Sequence, residues 1–175
     1  MFNLTGLTES ERCEFIGMLA SKLDAKQFQR VAEAFGDPAT YAKVVLTQGP
    51  TSTQIGFKNA FNLSTDEFLT KAVEGMDDEE LVEFIDNAST ETLIATMRAL
   101  EKTDKLREQW GSIIDAIAQK GTSEQLINFM QVLNDEVEAD PNPKHTQMLT
   151  ATMLMAAVSN SPSQDVREEF LAAVA

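Results

Sequence analysis

Cys13 and His145 are the only thiol and imidazole side chains in the 175 residues, so any Cys–His nucleophile would have to use this pair. Such a pair needs the imidazole within hydrogen-bond reach of the thiol. Nothing in the spacing brings the two together. Cys13 stands between Arg12 and Glu14, in helical register with Ile16 and Gly17, and reads as a small packed hydrophobe. His145 follows Lys144 in the first turn after Pro143 and reads as a surface group. One cysteine excludes an internal disulfide, and one histidine beside it excludes a Cys/His zinc site within one chain.

The stretch GPTSTQIGFK, 49–58, invites comparison with a phosphate-binding loop. That motif has four residues between its glycines and a Lys directly after the second, followed by Ser or Thr. Here six residues separate Gly49 from Gly56, Phe57 precedes Lys58, and no strand pattern leads in. The backbone cradle has the wrong size and no hydroxyl for magnesium, so the stretch reads as an ordered loop between helices. Calcium loops of the EF-hand type need alternating acids, a Gly at the sixth position and a closing Glu. DDEELVEFIDNA puts Val82 at the Gly position and ends on Ala88, while DEVEADPNPK has Pro where that loop must turn. No cofactor and no dedicated metal site is expected, and no catalytic motif supports an enzyme.

The carboxylates are left. GMDDEELVEFID, 75–86, holds six of them in twelve residues without a base, and 66–91 holds ten acids against Lys71 alone. At 100° per residue Leu81, Phe84, Ile85 and Ala88 gather on one side, with Glu79, Glu83 and Asp86 as a stripe on the other. Asp77 and Asp78 stand at the helix start, where the dipole favours anions by a few tenths to about 1 kcal/mol each. The stripe has no such local reason, since Glu79 and Glu83 repel at i,i+4 spacing. Solubility alone accounts for it. The functional alternative adds Asp66, Glu67, Glu74 and Glu91 to form a negative surface that steers association with a basic protein partner. Such a surface also suits a site built for nucleic acid, as in DNA-mimic inhibitors, which this chain resembles in charge and size only.

The elements that position these groups are helices. Side-chain acceptors followed three residues later by Glu or Gln mark helix starts at Thr8…Glu11, Asp24…Gln27, Ser64…Glu67, Asp77…Glu80, Thr122…Gln125 and Ser161…Gln164. Asp37-Pro38 and Asn142-Pro143 add starts with Pro in the first turn, and Ser89 and Asp104 serve as simple caps. Helical spacing links Phe15, Ile16, Leu19 and Leu23; Phe28, Val31, Ala32 and Phe35; and Leu93, Met97 and Leu100. It likewise links Trp110, Ile113, Ile114 and Ile117; Leu126, Ile127, Met130 and Leu133; and Phe170, Leu171 and Val174. Val44-Val45-Leu46 is the best strand candidate, and it ends a helical pattern. Helix starts in the middle of the chain recur every twelve or thirteen residues.

These patterns predict an all-α chain, a compact bundle or short solenoid-like array of about eight to ten short helices in one domain, 1–175. Its expected subdivisions are N-terminal helices over 1–47, a loop over 48–62, an acidic helical middle over 63–139 and a C-terminal helical pair over 140–175. MLTATMLMAAV, 148–158, is the most apolar run and about half the length a bilayer needs. It reads as a core helix or as a Met-rich association face. The net charge of −14 repels phosphate backbones and disfavours direct nucleic-acid contact. With no signal peptide visible and a lone cysteine, a cytoplasmic setting follows, with no membrane partner. The expected function is non-catalytic: an adaptor or inhibitor that uses the acidic helical surface against a basic partner. The alternative is a structural or assembly component, for example of a virion or scaffold, forming a homo-oligomer through its apolar C-terminal helices.

Overall fold

The computed structural model describes residues 6–32, 38–101, 108–139 and 145–175. Among them the chain is all-helical, with eleven helices rather than eight to ten and no strand. It divides into two compact units, Met1–Phe84 and Ile85–Ala175.

In the first unit the helices are α1 (Glu9–Lys22), α2 (Ala25–Ala32), α3 (Pro38–Gln48), α4 (Thr51–Phe61), α5 (Thr65–Glu74) and most of α6 (Asp78–Asn87). The expected capping boxes start α1 and α5, where Thr8 and Ser64 accept from the N–H of Glu11 and Glu67 and donate their own N–H in return. Asp24 and Gln27 exchange the same pair of bonds, as do Asp77 and Glu80. Helix α3 packs on α1 and α5, and α2 on α4. Phe57, fully buried, sits at the centre of this unit with Phe61, Phe68 and Phe28 at ring-centroid distances of 4.9, 5.8 and 6.2 Å. Val44, Val45 and Leu46, the strand candidate, are buried within α3.

The largest departure is α4. The Gly-, Thr- and Ser-rich stretch expected to be a loop over 48–62 is an eleven-residue helix with Pro50 as its N-cap. Pro50 makes no side-chain cap bond, so the helix is held by what it touches. Thr53, buried, donates its hydroxyl to Ala20 O at 2.8 Å, with Leu23 O at 3.3 Å. Ala20 O needs that donor because the Asp24 N–H turns to Gln27 Oε1 instead. Gly56 lets the helix approach α2 closely, since a Cβ there would stand 2.4 Å from Ala25 O. Asn62 ends the helix in the left-handed region, at φ 52°.

The second unit contains α7 (Thr90–Leu100), α8 (Trp110–Lys120), α9 (Ser123–Ala139), α10 (His145–Ser159) and α11 (Gln164–Val174). Helix α10 packs on α8, α9 and α11, α11 also on α9, and α7 on α8. Leu93, Met97, Ile113, Ile117, Leu126, Leu154 and Phe170 are buried among them. Ser89 caps α7, and Thr122 and Gln125 form the box expected before α9. The cap of α11 is Ser163 rather than Ser161. Ser161 is buried and donates its N–H to Val158 O, so it belongs to the end of α10. The expected caps Asp37, Asp104 and Asn142 lie outside the described residues.

Candidate functional site

Helix α6 sorts its carboxylates by role. Its capping acids are Asp77 and Glu80, whose reciprocal bonds are both 2.9 Å long. Glu80 is also half-buried and receives Lys43 Nζ from α3 on both oxygens at 2.8 Å. The core side of the helix holds Leu81, Phe84 and Ile85, all buried. Glu79, Glu83 and Asp86 are exposed on the remaining face, with Val82 beside them at 48% exposure.

On α5, Asp66 is exposed in the first turn, where the helix dipole favours it. Glu67 is already engaged by the Ser64 capping box. The Ser64 N–H, then the Ser64 hydroxyl, hold its carboxyl below the usual glutamate range, with Lys71 a smaller contributor. Glu74 is exposed at the last residue of α5, the end where the dipole disfavours an anion. No local feature explains it.

Asp86 and Glu91 belong to the second unit. Asp86 stands near the C-terminal end of α6, where Lys120 Nζ donates to the carbonyls of Ile85, Asp86 and Ala88 at 2.9, 2.6 and 3.3 Å. That cation answers the helix end rather than the Asp86 carboxylate. Glu91 accepts a hydrogen bond from Gln125 Nε2 of α9. Of the seven carboxylates expected at the surface, Asp66, Glu67, Glu74, Glu79 and Glu83 thus lie in one unit, and Glu67 and Glu91 are among those that hold internal partners. No group of three or more metal-ligating side chains forms among the described residues. The side chains of Cys13 and His145 lie outside the described residues, and the two positions belong to different units.

The pattern of charges did not reveal a groove in the second unit. At one end Trp110 Nε1 donates to Thr150 Oγ1 at 3.0 Å, which ties α8 to α10. Next along, a Cβ on Gly111 would meet Met153 Cε at an ordinary 3.6 Å, so the helices are close there. Beyond that point Ala156 and Ala157 are too short to fill the space, and a groove of about 480 Å³ opens. Ile114 and Met153 form its apolar part, while Asp115, Gln119 and Asn160 supply polar groups. Helix α10 is not a core helix on all sides: Thr150, Leu154 and Val158 are buried, whereas Met148 and Leu149 are 50% and 56% exposed. The signal available in the sequence was the pair of alanines on a helix otherwise rich in Met and Leu. It became informative only once the facing helix was known.

No helix among the described residues is long and apolar enough to cross a membrane. Comparison with protein-family models, curated proteins and solved structures finds no match for this chain.

Proposed function

We propose that the chain is a non-catalytic interaction protein, an adaptor or inhibitor, that presents the acidic faces of α5 and α6 to a basic protein partner. Its contact residues are Asp66, Glu74, Glu79 and Glu83, all in the first unit. The observation that carries this reading is the disposition of Lys43. Its charge goes to Glu80, a capping residue, while Glu79 stays exposed in the stripe and Glu74 keeps its charge at an unfavourable helix end. Glu74 stands where the helix dipole disfavours an anion, whereas Glu79 lies in the first turn of α6, where the dipole favours it; attraction of a basic surface offsets the cost at Glu74. A basic face that ordinarily holds phosphates fits best, so the chain would compete with nucleic acid for it. A cytoplasmic setting accords with the single cysteine.

The test is binding of the chain to such a partner with salt raised from low to physiological strength. Affinity should fall with salt, a polyanion should displace the chain, and Glu79→Lys with Glu83→Lys should abolish binding. Salt-insensitive binding that survives this double reversal would sink the proposal. The rival, assembly through the C-terminal helices, draws on the exposed Met148 and Leu149. A net charge of −14 on every copy opposes it. A mass that rises with concentration in light scattering is its signature.

A further inference from the structure

We propose that the groove between α8 and α10 docks a cationic amphipathic helix of a protein partner. This goes beyond the acidic-stripe reading and rests on other residues. The groove's volume of about 480 Å³ suits the insertion of large aliphatic side chains, and its base of Ile114 and Met153 is apolar. It does not stop at its own walls. Leu149, Met153, Ala156 and Asn160 follow one another along a single face of α10, and Leu149 is more than half exposed. From 149 to 160 that face extends about 16 Å, three helical turns. A strip of this length matches apolar anchors at i, i+3 or i+4 and i+7 on a partner helix better than it matches a compact small molecule. The thioether of Met153 can repack around such anchors.

Charge selects the occupant. Asp115 is the charged residue lining the groove, and it is exposed beside the amides of Gln119 and Asn160. Among the nearby bases, Lys120 is held by the carbonyls of Ile85, Asp86 and Ala88, and Arg167 donates to Ser161 O. A Lys or Arg flanking the apolar stripe of a partner helix therefore finds Asp115 available. A second copy of this chain would instead bring another net charge of −14 to the same place.

The full chain is titrated with a synthetic helical peptide bearing Leu at i, i+4 and i+7 and Lys on the flanks. Trp110, the single tryptophan and the neighbour of Gly111, supplies the fluorescence signal. Saturable binding is expected, with a Glu-flanked version of the peptide inactive. Ala156→Phe fills the groove and should weaken binding about tenfold or more. Asp115→Asn, at an exposed site that leaves the fold intact, should weaken it roughly threefold. Glu79→Lys with Glu83→Lys should leave it within about twofold at physiological salt. If that double reversal costs as much as Asp115→Asn while Ala156→Phe costs nothing, the peptide merely condenses on an acidic protein and the proposal fails. It fails equally if the chain dimerises at high concentration and Ala156→Phe restores the monomer, because the occupant is then a second copy.

Discussion

Helices α4 and α5 follow each other in sequence and have nearly the same length, yet they exist for different reasons. Helix α5 states its start locally: Ser64 and Glu67 exchange two hydrogen bonds across three residues, and Phe68, Leu69, Ala72 and Val73 form its buried face. Helix α4 has a Pro cap without a side-chain bond and carries Thr51, Ser52, Thr53, Gly56 and Asn59, all poor helix formers. Its supports come from elsewhere in the chain. Thr53 serves the carbonyls left open between α1 and α2, Gly56 admits Ala25, and Phe57 fills the aromatic centre. One helix is written in its own residues and the other in its neighbours.

Truncating the packing support should have the largest effect. Phe57→Ala empties the space among Phe28, Phe61 and Phe68 and should cost about 3–5 kcal/mol in urea unfolding. A loss below about 1 kcal/mol would mean that α4 is held by something other than its core contact. Gly56→Ala separates the two kinds of helix most sharply. Intrinsic propensity alone predicts a gain of about 1 kcal/mol for Gly to Ala in a helix interior. The structure predicts the opposite sign, a loss of about 1–3 kcal/mol, because the new methyl meets the Ala25 backbone at 2.4 Å and a backbone atom cannot rotate aside. A rise in the unfolding midpoint would overturn this account of why α4 packs on α2.

The same division explains what was legible in the sequence. The all-helical class and most helix starts could be read because a capping box lies within three residues and an apolar face within one helix. Helix α4 could not, since its determinants, Ala20, Leu23 and Ala25, stand about thirty residues away. Ser161 misled because its residue type suits a cap while its burial assigns it to the preceding helix. At the acidic surface the stripe of Glu79, Glu83 and Asp86 was visible as helical geometry. The engagement of Glu80 by Lys43 and of Glu91 by Gln125 was not, as both partners come from distant segments. The groove between α8 and α10 depends on which two faces meet, and periodicity within either helix says nothing about that.

On the α5 side the effects should be smaller and local. Ser64→Ala removes the acceptor for the Glu67 N–H and should cost about 1 kcal/mol, without the wider loss expected from Phe57→Ala. Glu67 adds a pH dependence that α4 lacks, and Glu11 does the same for α1. In the folded chain the N–H groups of Ser64 and Thr8, followed by their hydroxyls, hold these two carboxyls below the ordinary glutamate value. Folding therefore favours the ionised form, and the unfolded chain binds protons more readily. The stabilisation is fully present above the unfolded value, about 4.3. It is lost as pH falls through the lower folded values. Glu67→Gln keeps an acceptor oxygen but cannot ionise, so its stability deficit relative to the parent chain should be greatest near neutral pH and should shrink on acidification. A deficit that stays constant from neutral to acid pH would show that the Glu67 charge contributes nothing, and α5 would then depend on its buried face as α4 does.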